Sequence, residues 1–266
     1  MSHNRLSVVI ITRNEEKSLP DCLQSINWAH EIIVLDHLSS DATRHIAKTA
    51  GARVYNSKKW EGFGKQRQIA QQYATGDYIL TLDADERVNT QLKQSILSIL
   101  NQKINNNIVY ACARRSLFLN HWMRHSGWYP DFVIRLYPKK YSYNSMKVHE
   151  SLNTHDAKIN ILTGELLHIA CQYLPTFQKK QLQYAEIWAL EHFKKKCNLL
   201  TICLHTIGTF LKVLLLQMGF LDGKYGLLLA LVKSQYTFNK YSTIWSLQQQ
   251  IKHDIHNKKI TKKITI

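Results

Sequence analysis

The chain has 266 residues, 45% of them hydrophobic, and a formal net charge of +16. This length and composition can bury a substantial core, which excludes a largely disordered protein. Five widely spaced cysteines without a C-x-x-C pair argue against a disulfide framework or a structural zinc site and favour a reducing cytoplasm. The apolar run at 6–11 is too short for a signal-peptide core, so we expect no export.

The first hundred residues alternate between strand and helix patterns. Buried strands are predicted at 6–12, 31–36, 53–56 and 78–82, with helical segments between them. This spacing predicts right-handed βαβ units and an α/β fold with a Rossmann-like, mostly parallel sheet flanked by helices. The sequence has no G-x-G-x-x-G after the first strand and no P-loop motif, which disfavours a dinucleotide fold and a P-loop enzyme.

The remainder of the chain divides into a mixed region and a helical region. Short strands are predicted around 109–115, 132–137 and 161–168, and helical patterns occupy 177–196, 199–221 and 225–245. We therefore predict one domain over 1–174, divided near residue 105 into halves of about 1–105 and 106–174. A helical C-terminal region is predicted over 175–266.

The positive charge predicts an anionic partner, and nucleic acid, anionic lipid and a phosphorylated substrate all satisfy it. The tail after Ile251 carries five lysines against Asp254, directly behind the most apolar part of the chain. That pairing favours a membrane surface. Lys212 opposes a full bilayer crossing of 199–221 by about 2.5–3.5 kcal/mol, so an interfacial helix is expected. Packing on the first domain or in a dimer is the alternative.

Asp83 and Asp85 follow the fourth predicted strand, and ligands of such sheets bind beyond the carboxyl ends of strands. Two aspartates spaced i, i+2 can place one carboxylate on a divalent cation and the other on a ribose or a metal-bound water. Such a cation neutralises a diphosphate leaving group when a glycosidic bond breaks. A solvated turn would explain an isolated pair, but carboxylates at other strand ends favour the metal site.

Further polar residues at strand ends and at one helix start are predicted to bind a nucleotide sugar together with Asp83: Thr12, Asn14, Glu15, Asp36, Lys65 and Arg67. The carboxylate of Asp36, after the second strand, can accept a hydrogen bond from a pyrimidine N–H or a ribose hydroxyl. The alternative is an acidic residue at a helix N-terminus. Thr12, Asn14 and Glu15 lie on the first βα turn and suit contacts with a base and a ribose. As a helix-capping arrangement the same residues would need no ligand. The two basic residues suit diphosphate oxygens, with a plain basic helix face as the alternative.

Several segments together carry a family resemblance: SVVIITRNE (7–15), IIVLD (32–36) with SDAT (40–43), GFG (62–64), ATGDYILTLDADE (74–86), GWYPD (127–131) with RL (135–136), and VHE (148–150). They resemble the family 2 glycosyltransferases of GT-A fold, and more narrowly the bacterial lipopolysaccharide inner-core β-1,4-glucosyltransferases. One departure concerns the loop after the second strand. It usually reads Asp-Ser-Gly-Ser-Thr-Asp, and here it is DHLSSD (36–41), without the glycine.

The resemblance implies an inverting transfer of a hexose, with glucose from UDP-glucose the expected donor, to a lipopolysaccharide or lipooligosaccharide inner-core sugar. Mg²⁺ or Mn²⁺ is the implied cofactor. The implied partners are a UDP-hexose, a lipid-linked saccharide acceptor and the inner-membrane surface, with no nucleic acid. A cytoplasmic protein, peripheral on the inner face of the bacterial inner membrane, is expected. The first half would bind the nucleotide sugar and the second the acceptor.

An inverting transfer needs a general base for the acceptor hydroxyl, and Glu150 and Asp131 are the candidates. Glu150 is preferred because similar enzymes keep a His-Glu pair there. His149 is predicted to ligate the metal or touch the diphosphate, with a structural histidine as the alternative. Asp131 would otherwise be a turn carboxylate paired with Arg135.

Two other functions remain open from the sequence. The first is a glycosyltransferase of the same fold that acts on a polyprenyl carrier or a protein. The second is a basic module that binds nucleic acid or lipid without catalysis. The second accounts for the charge but leaves the carboxylates at the strand ends unexplained.

Overall fold

The computed structural model describes residues 4–145, 151–154 and 156–264, with side chains up to residue 253. The described residues form two compact units. One, the sheet unit, is built from Met1–Ser116 and Pro130–Ala170, and the other, the helical unit, from Leu117–Tyr129 and Cys171–Ile266. The predicted functional boundary after residue 174 stays a prediction. The compact units differ from it in grouping the segment 117–129 with the helices.

Nine strands and seven α-helices occur in the described part of the chain. The strands are β1 (Leu6–Thr12), β2 (Glu31–Asp36), β3 (Arg53–Asn56), β4 (Tyr78–Asp83), β5 (Glu86–Val88), β6 (Ile108–Phe118), β7 (His121–Trp122), β8 (Asp131–Pro138) and β9 (Lys158–Cys171). The helices are α1 (Leu19–Ser25), α2 (Thr43–Thr49), α3 (Phe63–Gln72), α4 (Thr90–Leu100), α5 (Leu174–Glu191), α6 (Leu199–Leu211) and α7 (Gly223–Ile264).

The first four strands form the parallel part of the sheet. β1 lies between β2 and β4 and is parallel to both, and β2 continues to β3. Their residues alternate between two cores, with Val8 and Ile10 on one face and Val9 on the other. Burial on both faces explains why these strands read as continuous apolar runs. The predicted α/β fold with its parallel sheet and C-terminal helices is therefore confirmed.

The later strands extend the sheet in the antiparallel sense. β8 pairs with β4, with Leu136 opposite Leu80, and β6 pairs with β8. Since β8 runs against β4, its beginning at Asp131 lies towards the carboxyl end of β4. β9 pairs with β5, with His168 opposite Glu86. Both pairings bring polar residues of the second half towards Asp83.

The helical unit is organised around the buried Asp222. Its carboxylate accepts hydrogen bonds from the backbone N–H groups of Arg124 and His125, at 3.1 and 3.0 Å, and from Ser126 Oγ at 3.0 Å. These bonds attach the segment 117–129 to the start of α7. A buried carboxylate needs such donors, because an unpaired one would be strongly destabilising.

One helical segment of the described chain, Leu199–Leu216, is long and apolar enough to cross a membrane by length and composition. Its mean hydropathy is 2.0, and only 11% of it is buried. The segment consists of α6 and the π-helical turn Lys212–Leu216 that follows it. It lies within the predicted apolar stretch 199–221, and it leaves a large apolar surface exposed.

Candidate active site

The carboxyl ends of β1, β2 and β4 form the edge on which most of the predicted site residues lie. Thr12 is opposite Asp36 in the β1–β2 register, and Ile11 is opposite Asp83 in the β1–β4 register. Three of the predicted residues, Thr12, Asp36 and Asp83, therefore stand at the ends of adjacent strands. This is the edge at which open α/β sheets bind ligands.

Asp36 organises the loop after β2. Its buried carboxylate accepts hydrogen bonds from Thr12 Oγ1 at 3.1 Å, from the Ser39 backbone N–H at 3.0 Å and from Ser39 Oγ. Arg44 Nε lies 3.7 Å from the same carboxylate. These contacts explain how Asp36 is stabilised without a ligand. Its contact with a nucleotide base stays a prediction.

The first βα turn is bonded to this loop. Asn14 adopts a left-handed conformation, φ 56°, and its side-chain oxygen accepts a hydrogen bond from the Ser40 backbone N–H at 2.9 Å. The backbone N–H of Glu15 donates to Thr43 Oγ1 at 2.7 Å. Both residues therefore make hydrogen bonds that need no ligand, but these bonds join two loops and do not cap a helix. Their predicted nucleotide contacts are not tested by these bonds.

Leu38 occupies the place of the glycine that similar enzymes carry in this loop. Its φ is 53°, and its side chain is exposed. The loop therefore keeps a left-handed residue without a glycine. A β-carbon in this region is strained by roughly 1–2 kcal/mol.

Asp83 is held between two arginines. Arg67 Nη2 donates to Asp83 Oδ1 at 2.6 Å, and Arg135 Nη2 donates to Oδ2 at 2.9 Å. Burial alone would raise the pKa of Asp83, but the two guanidinium groups outweigh it and hold that pKa well below its usual range. The carboxylate is ionised at any physiological pH, and each of its oxygens faces a positive group.

The ion pairs continue beyond Asp83. Arg135 Nη2 lies 2.5 Å from Oε1 of the buried Glu86, and Arg114 Nη1 lies 3.6 Å from the same oxygen. Arg114 Nε and Nη2 donate to Asp131 Oδ2 at 2.9 and 2.6 Å. The result is a chain of alternating charges, which we call the ion-pair chain: Arg67, Asp83, Arg135, Glu86, Arg114 and Asp131.

The ion-pair chain corrects one interpretation. Asp131 forms its ion pair with Arg114, whereas Arg135 is bound to Asp83 and Glu86. The reason lies in the register, since Arg114 is opposite Asp131 on the neighbouring strand. The other two residues predicted for this part of the site, His149 and Glu150, lie outside the described residues. Their roles stay predictions.

Asp85 faces a histidine that the sequence analysis did not single out. His168 Nε2 lies 3.4 Å from Asp85 Oδ2, and His168 Nδ1 is hydrogen-bonded to Ser116 Oγ at 3.1 Å. The only sequence signal was its position at the end of a predicted strand, 161–168. Its strand partner is some eighty residues earlier, and local patterns do not reveal such a pairing.

Within the described ranges, no group of three or more His, Cys, Asp and Glu side chains is close enough to hold a metal ion. Asp85 and His168 nevertheless offer a carboxylate and an imidazole side by side. One or two protein ligands, completed by substrate phosphates and water, is the usual arrangement for Mg²⁺ at phosphate-transfer sites. Imidazole also suits first-row transition metals. These residues therefore fit a divalent cation held jointly with a diphosphate.

Lys65 and Arg67 lie on the first turns of α3, after Gly62 with φ 100°. Arg67 is almost completely buried and is paired with Asp83, as described above. Lys65 is partly exposed, with its Nζ 3.4 Å from Gln68 Oε1. The two side chains thus differ in environment. Lys65 is therefore the more accessible of the two cations. The diphosphate contacts of both residues stay predictions.

Comparison with known proteins gives the family. Residues 7–161, more than half of the chain, match the glycosyl transferase family 2 domain. An uncharacterised glycosyltransferase of Rickettsia typhi is 29% identical over 82% of this chain and 79% of its own length. The lipopolysaccharide core biosynthesis glycosyltransferase LpsC of Rhizobium meliloti is 30% identical over 61% of this chain and 62% of its own length.

Similar solved structures include TarS of S. aureus, with a TM-score of 0.47 and 16% identity over 77% of this chain and 42% of that one. Glucosyl-3-phosphoglycerate synthase from Mycobacterium tuberculosis, solved with Mg²⁺ and UDP, has a TM-score of 0.36 and 23% identity over 42% of this chain and 44% of that one. The chain thus spans less than half the length of both. The match over 7–161 decides the assignment: the chain belongs to glycosyl transferase family 2.

Proposed function

We propose that this enzyme transfers a hexose, glucose from UDP-glucose being the first choice, with inversion to an inner-core sugar of lipopolysaccharide or lipooligosaccharide. The observation that carries the proposal is the ion-pair chain, which connects Asp83 to Asp131. The ion-pair chain brings the partly exposed carboxylate of Asp131 to the sheet edge that carries Asp83 and Asp85. The similarity to LpsC supports the choice of acceptor.

In this proposal the nucleotide binds at the loops after β1 and β2. The hydrogen bonds between the first βα turn and the loop after β2 hold both loops in place before the donor arrives. Such preorganisation lowers the entropic cost of binding. Thr12, Asn14, Glu15 and Asp36 supply the polar groups for base and ribose, and Lys65 supplies a cation for the diphosphate.

Departure of the nucleoside diphosphate leaves negative charge on its terminal phosphate. In this proposal the diphosphate lies at the sheet edge after β4, beside the guanidinium groups of Arg67 and Arg135. Asp83 fixes both of these groups by ion pairs. Charges fixed before the reaction stabilise developing charge without reorganisation. A divalent cation, Mg²⁺ or Mn²⁺, bound at Asp85 would add Lewis-acid stabilisation of the leaving group.

Glu150, the preferred base, lies outside the described residues, and Asp131 is the second candidate, whose surroundings the structure describes. Arg114 Nε and Nη2 both donate to Asp131 Oδ2, and the Asp131 side chain is 39% exposed, so an acceptor hydroxyl can approach this carboxylate. The hydroxyl proton passes to Asp131 as the acceptor oxygen bonds to the anomeric carbon. The bond from that carbon to the diphosphate breaks on the opposite face, which inverts the configuration. Glu150 would take the same proton in the same role.

The helical unit supports a membrane-bound acceptor. Along Leu199–Leu216 and the turn after it, large apolar side chains are exposed: Leu199, Leu200, Leu204, Ile207, Leu211, Leu215, Leu216, Met218, Phe220 and Leu221. Lys212 and Lys224 are exposed in the same region. An exposed apolar face with basic neighbours suits the headgroup region of an anionic bilayer. In this proposal the enzyme is cytoplasmic and peripheral on the inner face of the inner membrane.

A transfer assay tests the proposal. Purified full-length protein, Mn²⁺ and labelled UDP-glucose or UDP-galactose are incubated with a truncated lipooligosaccharide, a polyprenyl phosphate or a peptide. The expected result is transfer of glucose to the saccharide, with a β linkage by NMR. Transfer to polyprenyl phosphate or peptide alone would replace the proposed acceptor. Absence of transfer from every sugar nucleotide would overturn the function.

A further inference from the structure

Two half-buried lysines of α7, Lys233 and Lys240, each have another lysine as their charged neighbour. Among the residues that the structure describes, neither forms an ion pair with a carboxylate. Burial lowers the pKa of Lys233 to about 8, and the charge of Lys212 adds to this effect. Burial and the charge of Lys195 lower the pKa of Lys240 in the same way. Because a buried charge without a counter-charge is destabilising, a bound anion would stabilise both positions.

Lys233 belongs to a group of three side chains that we call the Trp128 cluster: Lys212, Lys233 and Trp128. Lys233 Nζ lies 5.9 Å from the centre of the Trp128 ring and donates a hydrogen bond to the Ser126 carbonyl oxygen at 2.9 Å. That bond uses one of the three donors of the ammonium group and leaves two for a ligand. Lys212 is exposed on the π-helical turn that follows α6.

Lys240 belongs to a second group of the same composition, the Trp188 cluster: Lys195, Lys240 and Trp188. Lys240 Nζ lies 4.6 Å from the centre of the Trp188 ring, and Lys195 Nζ lies 5.1 Å from it. Lys195 is exposed just before the start of α6. Tryptophan is enriched at membrane–water interfaces, where lysines extend their ammonium groups to the lipid headgroups. Both clusters therefore have the composition of an interfacial site.

The spacing of the two clusters decides how they can meet a membrane. Lys233 and Lys240 are seven residues apart on α7, which is almost two helical turns. Their side chains therefore leave the same side of the helix, with their α-carbons ~10 Å apart. The hydrocarbon core of a bilayer is ~30 Å thick. The two clusters cannot lie in opposite headgroup layers, and they fit the same one.

The chain between the two outer lysines supplies an apolar surface. In sequence, Lys195 precedes and Lys212 follows the exposed apolar side chains of α6: Leu199, Leu200, Leu204, Ile207 and Leu211. The helical unit also carries fifteen lysine and arginine residues against four aspartates and glutamates. A phospholipid joins an anionic phosphate to apolar chains and complements both features at once. A soluble phosphate would complement the lysines alone.

We propose that the Trp128 cluster and the Trp188 cluster each bind the phosphate of an anionic phospholipid headgroup, so that α6 lies in the plane of one leaflet. The inference rests on the membrane association in the proposed function and gives it two defined sites. Within the described chain, it assigns an interfacial position to the segment that is long and apolar enough to cross a bilayer, Leu199–Leu216. The lipid phosphates supply the counter-charge for Lys233 and Lys240.

Vesicle binding tests the two clusters. Full-length protein is mixed with vesicles of phosphatidylcholine alone or of an equal mixture of phosphatidylcholine and phosphatidylglycerol, and bound protein is separated by flotation. The wild type should bind the anionic vesicles. Lys233→Gln combined with Lys240→Gln should weaken this binding about 25-fold, since one lysine at an anionic surface is worth roughly fivefold in affinity.

Two further double variants accompany this test. Lys179→Gln with Lys180→Gln removes the same charge from exposed positions of α5 and should change the affinity by less than about threefold, because distant charges are screened. Lys195→Gln with Lys212→Gln changes the two exposed lysines of the clusters and should weaken binding about as much as the α7 variant. The test therefore decides even if the α7 variant does not fold, which circular dichroism establishes.

Electron paramagnetic resonance gives the orientation of α6. Nitroxide labels are attached to single cysteines in place of Leu200, Ile207 or Leu211, after the two accessible native cysteines, Cys197 and Cys203, are changed to serine. Power saturation with oxygen and with a nickel chelate measures the depth of each label in anionic vesicles. If α6 lies in the plane of the leaflet, the three depths should agree within ~5 Å. A crossing helix would separate the first and last labels by ~16 Å.

Each contrary result has its own meaning. Equal affinities of the α7 and α5 double variants would show that the clusters are not headgroup sites. Depths that change steadily along α6 would show that the helix crosses the membrane. Binding of inorganic phosphate to the wild type as tight as that of anionic vesicles would assign the clusters to a soluble anion. If the wild type does not bind anionic vesicles, both this inference and the membrane association are wrong, whereas sugar transfer to a soluble saccharide is judged separately by the transfer assay.

Discussion

Arg135 Nη2 lies 2.5 Å from Glu86 Oε1, and both side chains are almost completely buried. Burial lowers the pKa of an arginine, but Glu86 and Asp83 outweigh this effect and raise the pKa of Arg135 well above its ordinary value. The Arg135 guanidinium is therefore charged throughout the accessible pH range. It forms the centre of the ion-pair chain that connects Asp83 with Asp131.

Removal of one partner of this pair should be strongly destabilising. Glu86→Ala leaves Arg135 buried with Asp83 as its remaining carboxylate, and we expect a loss of about 3–5 kcal/mol in the free energy of unfolding, measured in urea. Glu61→Ala is the matched control, because Glu61 pairs with Lys59 on the surface. That change should cost under about 1 kcal/mol. Equal effects would show that the buried pair is not central to stability.

Replacing Leu38 by glycine should stabilise the folded protein. Its φ of 53° is unfavourable for a residue with a β-carbon, and its exposed side chain contributes little packing. Leu38→Gly should raise the free energy of unfolding by about 0.5–1 kcal/mol, after the entropic cost of glycine is subtracted. Leu38→Ala keeps the strain and should give no gain. If thermal unfolding shows Leu38→Gly to be less stable than Leu38→Ala, Leu38 is not strained.

Glu31 should contribute to the stability of the fold in a way that is lost in acid. Burial would raise its pKa, but hydrogen bonds from Ser7, Thr75 and Arg53 outweigh burial and lower it to about 2. The folded pKa lies below the unfolded one. The stabilisation is therefore complete above the unfolded pKa, near 4.5, and is lost as the pH falls towards 2.

Because solvent screens this partly exposed group, the loss from Glu31 across this window should reach roughly 1–2 kcal/mol in the free energy of unfolding. Urea unfolding of the wild-type protein and Glu31→Gln between pH 5 and pH 2 measures it. The variant should be less stable at pH 5, and the two proteins should converge as the pH falls. A constant difference across the window would contradict the assignment.

Asp131→Asn tests the candidate base. The amide keeps the shape of the side chain but accepts no proton, so transfer should fall by about 100-fold or more. The dissociation constant for UDP should stay within a few-fold of the wild type, because the base contacts the acceptor. Glu150→Gln is the parallel variant. If it abolishes transfer while Asp131→Asn does not, Glu150 is the base.

Local patterns in the sequence were sufficient for the parallel half of the fold. The apolar runs that became β1, β2 and β4 are buried on both faces, and their ends placed Thr12 and Asp83 on one edge. These features depend on neighbouring residues only. The same holds for the helical C-terminal region, although α7 continues well past the predicted end at residue 245.

The antiparallel half could not be predicted in the same way. Whether Asp131 meets Arg114 or Arg135 depends on the register of β6 against β8, and a shift of one residue reverses which face a side chain occupies. The approach of His168 to Asp85 depends on β9 returning to β5. Such long-range pairings leave no periodic signal in the sequence.

The most direct test of the central claim is isothermal titration of UDP into the wild-type protein and Asp85→Asn, each with Mn²⁺ and with EDTA. If the edge after β4 binds the donor diphosphate through a cation, wild-type protein should bind UDP with Mn²⁺ at least about tenfold more tightly than with EDTA. Asp85→Asn should lose that difference. Equal UDP affinity in all four titrations would contradict the account.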